Sequence, residues 1–285
     1  MALEADAVWF SYPDGFVALT DVTFRVRQGG FVAMLASNGS GKTTLIKVLA
    51  GLLKSQRGVT RIHGRELGAY PQSELYQRVG LVFQNPNDQL FCATVQDDVA
   101  FGPRNLGLPE AEVQQRVAHA LAAVGAEHLA GRAIHHLSYG QQKRVAIAGV
   151  LAMKPPILIL DEPTAGLDPL GEHEMLRLLG ELNRDQGITI VLATHSVDTL
   201  PLFADRIYVL NQGQVLKEGT PEEVFLDTEM IQRASLRLPY VTRLLHELQR
   251  FDGVPIRGMP LTVREARDQL LDLIPEHLIE EVPLP

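Results

Sequence analysis

The sequence predicts an α/β fold in which a mainly parallel β-sheet is covered by helices. Short apolar runs, each about the length of one buried strand, recur along the first 220 residues. Segments with helical periodicity separate several of these runs, and strands that alternate with helices pair in parallel. The expected strands are residues 31–35, 79–83, 157–160, 188–193 and 207–210.

The composition is that of a folded, acidic protein. Of the 285 residues, 46% are hydrophobic and 21% are charged, which is typical of globular domains. The formal net charge of −8 gives no basic footprint for nucleic acid, so we expect no nucleic-acid partner. Cys92 is the only cysteine of the sequence, so no internal disulfide is possible and a reducing compartment is expected.

Neither a secretory signal nor a membrane-spanning segment is predicted. Residues 1–10 include Glu4 and Asp6 and lack a basic stretch followed by an apolar one. The longest aliphatic stretch near the middle of the chain, residues 146–153, is far shorter than the ~20 residues needed to cross a bilayer. If the protein works at a membrane, we therefore expect it to dock on another protein.

A glycine-rich segment with the context of a phosphate-binding loop follows the first expected strand of the parallel sheet. It precedes a helix expected at about residues 42–53, so backbone N–H groups bunched by Gly39 and Gly41 would wrap anionic oxygens at a helix N-terminus. Lys42 would reach the β- and γ-phosphates of a nucleotide, and the Thr43 hydroxyl would bind Mg²⁺. The predicted ATP-binding residues of this segment are Ala36, Ser37, Asn38, Gly39, Ser40, Gly41, Lys42, Thr43 and Thr44.

Ala36 departs from the usual loop, which begins with glycine. If this position needs a positive φ, alanine is strained there by roughly 1 kcal/mol, whereas at a negative φ the change is harmless. We expect binding to survive. The alternative for the whole segment is a Gly/Ser turn before an ordinary helix.

Two acidic residues directly follow the expected buried strand at residues 157–160. Asp161 is placed to bind Mg²⁺ through a water molecule, because Mg²⁺ keeps much of its hydration shell. Glu162 is the expected base for the attacking water, a role worth roughly 10²–10⁴ in rate. Asp-Glu-Pro could also merely end the strand and cap the next element, but the phosphate-binding loop favours the catalytic interpretation.

The segment Leu137-Ser138-Tyr139-Gly140-Gln141 precedes a helix and resembles the Leu-Ser-x-Gly-Gln signature of ABC ATPases. A serine hydroxyl, an exposed glycine backbone and a helix N-terminus together form an anion site. The resemblance implies that Ser138, Gly140 and Gln141 contact the γ-phosphate held by the opposite subunit of a dimer.

Other positions match the same family over roughly residues 5–220. The resemblance implies that Tyr12 stacks on adenine, that Asp168 lies at the dimer interface and that His195 senses the γ-phosphate as a catalytic residue. Tyr12 could also be a core or turn tyrosine, and a lone histidine at a strand end is more often structural. Gln84 would report the γ-phosphate and Mg²⁺ to a membrane partner. The expected cofactors are ATP and Mg²⁺, with Thr43, Gln84 and Asp161 at the metal.

The resemblance also implies a domain organisation. Residues 1–220 would form a P-loop NTPase core of the ABC type, with an antiparallel β part and a helical subdomain at about residues 85–155. A helix in this subdomain is expected to start at Pro109 and stop at Gly125. Its predicted buried stripe is Val113, Val117, Leu121 and Val124.

Residues 221–285 are expected to form a small C-terminal helical domain for dimerisation or regulation. One helix is predicted near residues 239–250, and a capping box at residues 262–265 predicts the start of another. The one-face positions of the first helix are Val241, Leu244, Leu245 and Leu248.

Residues 83–91, read with Thr94-Val95 and residues 98–103, resemble the ATPases of energy-coupling-factor (ECF) importers. Residues 236–239, Leu-Arg-Leu-Pro, are similar to the cobalt/nickel subgroup. The implied partners are a second copy of this chain or a paralogous ATPase, a transmembrane coupling protein and a membrane substrate-capture protein. The implied location is the cytoplasmic face of the cell membrane. Four apolar residues could line a groove that accepts a helix of the coupling protein, or could belong to the subdomain's own core. They are Leu90, Phe91, Val95 and Phe101.

The sequence therefore predicts an ATP-hydrolysing subunit that powers an ECF importer for cobalt or nickel ions. A vitamin importer with the same ATPase role is the first alternative. A soluble ABC ATPase acting on DNA or ribosomes is the second, although such proteins usually carry tandem copies or long coiled-coil inserts and this sequence has one phosphate loop. The third is a nucleotide-binding regulatory module without turnover, which the presence of Lys42, Asp161, Glu162 and His195 disfavours.

Overall fold

The computed structural model describes residues 1–275, which contain two β-sheets. The six-stranded sheet has the order β10-β9-β3-β8-β7-β6, and the four-stranded sheet has the order β2-β1-β4-β5. The strands are β1 Leu3–Ser11, β2 Val17–Val26, β3 Phe31–Ala36, β4 Arg57–Ile62, β5 Arg65–Glu66, β6 Val79–Val82, β7 Ile157–Asp161, β8 Thr189–Thr194, β9 Arg206–Asn211 and β10 Gln214–Gly219.

The six-stranded sheet is parallel from β9 to β6, and β10 pairs antiparallel with β9 at its edge. Every residue of β3, β7 and β8 is buried, because layers cover both faces of the sheet. Strands buried on both faces are expected to be continuously apolar, and this explains the runs visible in the sequence. The four-stranded sheet is antiparallel throughout. The predicted combination of a mainly parallel sheet with an antiparallel part is confirmed.

The helices pack on both sides of the parallel sheet and in a separate C-terminal unit. They are α1 Lys42–Leu49, α2 Gln72–Leu75, α3 Val95–Asn105, α4 Glu110–Ala123, α5 Tyr139–Leu151, α6 Pro169–Gln186, α7 Pro221–Phe225, α8 Thr228–Arg233, α9 Tyr240–Asp252 and α10 Val263–Leu273. One core lies between the sheet and helices that include α5 and α6. The other lies between the sheet, α1 and the antiparallel sheet.

Helix α1 is shorter than the predicted span of residues 42–53. It ends at Leu49, and Gly51 follows with φ of +75°. The left-handed glycine turns the chain so that the N–H of Leu52 donates to the carbonyl of Lys47 at 2.8 Å. A glycine of this kind is a common helix stop.

Helix α4 forms as predicted from the residue after Pro109, and Gly125 follows it with φ of +66°. All members of the predicted stripe are buried against the core: Val113, Val117, Leu121 and Val124. Helices α3, α4 and α5 contact one another, so the segment between β6 and β7 forms a helical layer.

The C-terminal unit has a small core of its own between α9 and α10. Its buried members are Leu245, Ile256 and Ala266. Leu244, predicted on the same face as Leu245, is 55% exposed, because α10 covers only one side of α9. The predicted capping box of α10 is present at Thr262. Residues 276–285, the end of the predicted C-terminal domain, lie outside the described residues.

An ion pair joins the start of this unit to the rest of the protein. The guanidinium of Arg237 contacts both carboxylate oxygens of Asp198, and the N–H of Tyr240 donates to Asp198 at 2.8 Å. Asp198 lies three residues after His195. Among residues 1–275, no helix is long and apolar enough to span a membrane.

Candidate active site

The phosphate-binding loop connects the end of β3 to the start of α1. Gly41 precedes the helix with φ of +94°, and a Cβ there would lie 2.5 Å from the carbonyl oxygen of Ala18. Only glycine therefore fits both the conformation and the space. In the described part of the chain no side chain caps α1, so its first N–H groups remain available to an anion.

Ala36 does not strain the loop. It is the last residue of β3 and pairs with Leu210 of β9 in the parallel ladder. Its φ therefore lies in the extended region, where alanine and glycine are both tolerated. The replacement of the usual glycine costs nothing in backbone energy, as the negative-φ alternative predicted.

Two buried carboxylates enter the site from the end of β7. The hydroxyl of Thr43 donates to Asp161 Oδ2 at 2.9 Å, and Lys42 Nζ forms an ion pair with Glu162 Oε1. His195 Nδ1 lies 2.9 Å from the same Glu162 oxygen, and its side chain is 60% exposed. The ends of β3, β7 and β8 thus meet, because parallel strands present their carboxyl ends at one edge of the sheet.

Glu162 has an unusual backbone, with φ of +48°. Non-glycine residues in this left-handed region cost of order 1–3 kcal/mol and persist where surrounding contacts hold them. The N–H of Glu162 donates to the carbonyl of Ala193 at 2.9 Å. Its carbonyl accepts from Lys143 Nζ, also at 2.9 Å. Both peptide groups that flank the residue are therefore fixed.

The donor set fits a divalent cation and a water molecule. Within residues 1–275, Asp161 Oδ1 and Glu162 Oε2 are buried and have no hydrogen-bond partner. Burial raises the pKa of the Asp161 carboxyl above its ordinary value, while the Thr43 hydroxyl and the Lys42 ammonium oppose that shift. A hydroxyl and carboxylate oxygens are ligands that Mg²⁺ prefers, so the residues present fit the predicted metal.

The side chains and loop backbone surround one open cavity of about 320 Å³. This volume is within the usual range for small-ligand sites. The cavity brings together most of the predicted nucleotide-binding residues. Its lining is Phe16, Ser37, Asn38, Gly39, Gly41, Lys42, Thr43, Thr44, Gln84, Glu162 and His195.

Gln84 is exposed and follows β6 at the mouth of the cavity. Gln89 braces this segment, since its amide accepts from the N–H of Phe83 at 3.1 Å and donates to the carbonyl of Ala146 in α5 at 3.1 Å. The next residue, Leu90, is buried in the core, as is Val95. The core interpretation is therefore correct for these two residues of the predicted groove.

Phe16, rather than Tyr12, lines the cavity, and the sequence analysis did not identify it. The two rings are nearly parallel, with an interplanar angle of 23° and centroids 6.4 Å apart. The Tyr12 hydroxyl lies 3.0 Å from the Thr44 hydroxyl of α1. The available signal was the position of Phe16, directly after the turn residues Asp14-Gly15 and close to Tyr12.

The signature residues lie outside this cavity, at the exposed N-terminus of α5. Ser138 accepts from the N–H of Gln141 at 3.3 Å, and Gln141 Oε1 accepts from the N–H of Ser138 at 3.0 Å. The two side chains form a capping box, and Gly140 lies between them. Asp168 has a similar local contact, since it caps α6 by accepting from the N–H of Gly171 at 2.7 Å.

Lys143 is a second residue that sequence reasoning missed. It is buried on α5, and Nζ donates to the carbonyls of Gln84 at 3.2 Å and Glu162 at 2.9 Å. Burial lowers the pKa of Lys143 to about 8, and the Glu162 and Asp161 carboxylates oppose that shift. The available signal was a lysine in the signature helix, separated only by Arg144 from the apolar stretch that starts at Val145.

A family model described as "ABC transporter" matches residues 19–165, and relatives of nearly the same length match almost the whole chain. The chain belongs to the ABC transporter family. The energy-coupling factor transporter ATP-binding protein EcfA of Methanocaldococcus jannaschii is 48% identical over 96% of this chain and 98% of its own length. The resemblance to ECF-type ATP-binding proteins and the prediction of an ABC-type ATP hydrolase are confirmed.

Two solved structures share the fold. CbiO1 of Clostridium perfringens, described as part of the ABC transporter complex CbiONQ, has a TM-score of 0.74 and 43% identity over 86% of this chain and 98% of its own. The ATP-binding cassette MJ0796, solved as a dimer in a post-hydrolysis state bound to ADP and Pi, has a TM-score of 0.69. It is 30% identical over 77% of this chain and 98% of its own.

Proposed function

We propose that this chain hydrolyses MgATP between two copies of itself and thereby powers an ECF importer. One observation carries the hydrolytic part: Lys42, Glu162 and His195 converge on a cavity at the uncapped N-terminus of α1. The helix N-terminus and Lys42 bind and orient the phosphates. Since the residues of a working site are all present, a regulatory module without turnover is disfavoured.

Glu162 is the proposed general base, and its two oxygens have different tasks. Oε1 contacts Lys42 and His195, which orient the carboxylate. Oε2 has no hydrogen-bond partner within the described residues and is the oxygen that accepts a proton from the attacking water. His195, exposed at the mouth of the cavity, contacts the γ-phosphate of the bound nucleotide.

Thr43, Asp161 and Gln84 are the proposed residues at the metal. These residues would hold Mg²⁺, which would neutralise negative charge on the nucleotide phosphates. Thr43 already contacts Asp161, so the two ligands are held together before any nucleotide binds.

The second half of the site is proposed to come from a second copy of the chain. Ser138, Gly140 and Gln141 lie outside the cavity of their own subunit, at an exposed helix N-terminus that is suited to an anion. Asp168 lies on the exposed turn before α6 and is proposed to meet the partner at the same interface. The dimeric cassette MJ0796 supports this arrangement. A paralogous ATPase in place of the second copy is the alternative.

Phe91 and Phe101 are the proposed contact for a helix of the transmembrane coupling protein. Their rings are perpendicular, with centroids 4.7 Å apart, and they are 65% and 44% exposed. Exposed aromatic pairs suit the apolar face of an amphipathic helix. They follow the Gln84 segment in the chain, so a change at the γ-phosphate has a short path to this surface.

The transported substrate is proposed to be cobalt or nickel ions, which a separate membrane protein captures. The Leu-Arg-Leu-Pro segment at residues 236–239, which resembles the cobalt/nickel subgroup, supports this choice. We propose a location at the cytoplasmic face of the membrane. Residues 1–220 are proposed as the ATPase domain, with its helical subdomain at about 85–155, and residues 221–285 as a dimerisation or regulatory domain.

Phosphate release by the purified protein tests the hydrolytic role. A Glu162→Gln variant is expected to lose about 10²–10⁴ in turnover, because the amide cannot accept the proton from water. It should still bind ATP and accumulate as a closed dimer, measured by size-exclusion chromatography with MgATP. Turnover equal to that of the unmodified protein would refute the assignment of Glu162.

Affinity capture from native membranes in mild detergent, with mass spectrometry of the partners, tests the transport role. A polytopic coupling protein together with a metal-type capture subunit would support cobalt or nickel import. A vitamin-type capture subunit would keep the ATPase role and refute the substrate. Purely soluble partners would refute transport itself.

A further inference from the structure

A buried lysine connects three segments around the candidate active site. Lys143 lies on α5, the helix that Ser138 caps, and only 3% of the residue is exposed to solvent. Its ammonium group donates to the carbonyl of Glu162 at 2.9 Å and to the carbonyl of Gln84 at 3.2 Å. One side chain of the signature helix therefore contacts the backbones of the proposed base, Glu162, and of the proposed metal-binding residue, Gln84.

The ammonium group is also close to an aromatic ring of the same helix. Lys143 Nζ lies 5.3 Å from the centroid of the Tyr139 ring, one turn earlier on α5, within the range of a cation–π contact. The Tyr139 hydroxyl lies 3.5 Å from the carbonyl oxygen of Gln84. Gly166 makes room for this ring, since a Cβ there would lie 2.9 Å from it.

The contact with Glu162 bears on a strained backbone. The left-handed φ of Glu162 is held by two hydrogen bonds, one from its N–H to Ala193 and one to its carbonyl from Lys143. The first bond fixes the peptide group before Glu162 to β8. The second fixes the peptide group after it to α5. Since a buried carbonyl without a donor is costly, removal of the ammonium group would release this peptide group to rotate.

We propose that Lys143 is a positioning residue that couples the signature helix to the base and to the Gln84 segment. A shift of α5, when Ser138 engages the nucleotide of the partner, moves the ammonium group and both carbonyls with it. The orientation of the Glu162 carboxylate then depends on the position of the helix. This inference rests on the proposed ATPase cycle and adds a link between its two half-sites within one subunit.

An apolar side chain of similar length would fill the same space without donating hydrogen bonds. Substitution therefore separates the hydrogen-bonding role of Lys143 from its packing role. Lys143→Met keeps the length of the side chain and removes the donors. Lys143→Arg keeps the donors and the charge. Lys217→Met is the matched control, because Lys217 pairs with Asp227 at 3.1 Å, is 33% exposed and does not line the cavity.

Steady-state phosphate release and titration with a fluorescent ATP analogue give kcat, KM and nucleotide affinity for each variant. In Lys143→Met we expect kcat to fall about tenfold or more while KM and analogue affinity stay within about twofold, as for an interaction made in the transition state. Lys143→Arg should recover most of this loss, and Lys217→Met should match the unmodified protein.

Unchanged kcat in Lys143→Met would overturn the proposal, and so would equal losses in Lys143→Met and Lys143→Arg, which would indicate packing alone. If Lys143→Met does not fold, Lys143→Gln is compared with Lys143→Ala instead. The glutamine amide keeps hydrogen-bond donors without the charge, so Lys143→Gln should retain more turnover than Lys143→Ala. Equal turnover of those two would overturn the proposal. If the unmodified protein releases no phosphate, the proposed ATPase function itself fails, which is a separate outcome.

Discussion

The N-termini of α1 and α5 are both candidate anion sites, but they are prepared in opposite ways. Helix α1 begins after a left-handed glycine, Gly41, and no side chain of the described residues caps it. Helix α5 begins with a capping box in which Ser138 and Gln141 satisfy each other's N–H groups. The first site is open to a ligand at once, whereas the second already has internal partners.

This difference indicates which half of the proposed two-subunit site binds the nucleotide first. An anion at α1 gains N–H groups that have no competing side chain. An anion at α5 must displace the Ser138 oxygen from an N–H group or share the hydroxyl, so part of the interaction energy is lost to the exchange. Binding to α1 of one subunit and later closure of α5 from the other is the order that this favours.

The largest effect is expected at the open helix. Gly41→Ala forces alanine into a left-handed conformation and places its Cβ against the carbonyl of Ala18. Each ~1.4 kcal/mol of lost binding free energy lowers affinity about tenfold, so the combined strain and clash should lower ATP affinity about 100-fold or more. Gly107→Ala is the control, because Gly107 has a similar φ of +72° with open space around its Cβ position. Titration with a fluorescent ATP analogue measures both, and equal affinities would contradict the geometry.

A smaller and different effect is expected at the capped helix. Ser138→Ala should leave the ATP affinity of the monomer unchanged but reduce turnover about tenfold, because the hydroxyl is proposed to act only on the nucleotide of the partner. Loss of the cap should also lower the free energy of unfolding by about 0.5–2 kcal/mol. Thr220→Ala, in the equivalent capping box of α7, should show the same stability loss in denaturant unfolding with normal turnover, because α7 packs in the same core as α5. A loss of monomer binding in Ser138→Ala would break the contrast between the two helices.

The smallest effects should separate the two aromatic rings beside α1. Tyr12→Phe removes the contact with the Thr44 hydroxyl and should lower the free energy of unfolding by about 0.5–1.5 kcal/mol, with little change in ATP affinity. Phe16→Ala should weaken ATP binding by several-fold, because this ring lines the cavity. The reverse result would support the sequence-based assignment of Tyr12 to adenine.

Local patterns allowed much of the fold and the site to be predicted. The buried runs, the loop around Gly39 and Gly41 and the acids after β7 are each contiguous in sequence, and parallel strands then bring them to one edge of the sheet. The absence of backbone strain at Ala36 could not be predicted, because it depends on strand pairing with Leu210, which is far along the chain.

Long-range contacts explain what the sequence analysis missed. Lys143 gains its importance from the carbonyls of Gln84 and Glu162, which are distant in sequence and carry no side-chain signal. Leu244 has the correct helical spacing for burial, but no element within residues 1–275 covers that side of α9. Periodicity identifies a face and leaves open how much of it another element covers.

The small core of the C-terminal unit has a consequence for how the protein opens. Three buried side chains, Leu245, Ile256 and Ala266, stabilise the packing of α9 on α10 apart from the two larger cores. A unit with so few buried contacts opens at a low free energy and does so locally, without global unfolding. Substitutions at these three positions are therefore expected to loosen α9 and α10 before they loosen the parallel sheet. Amide hydrogen exchange in this unit is accordingly expected to be faster than at the buried strands of the parallel sheet, which two larger cores enclose.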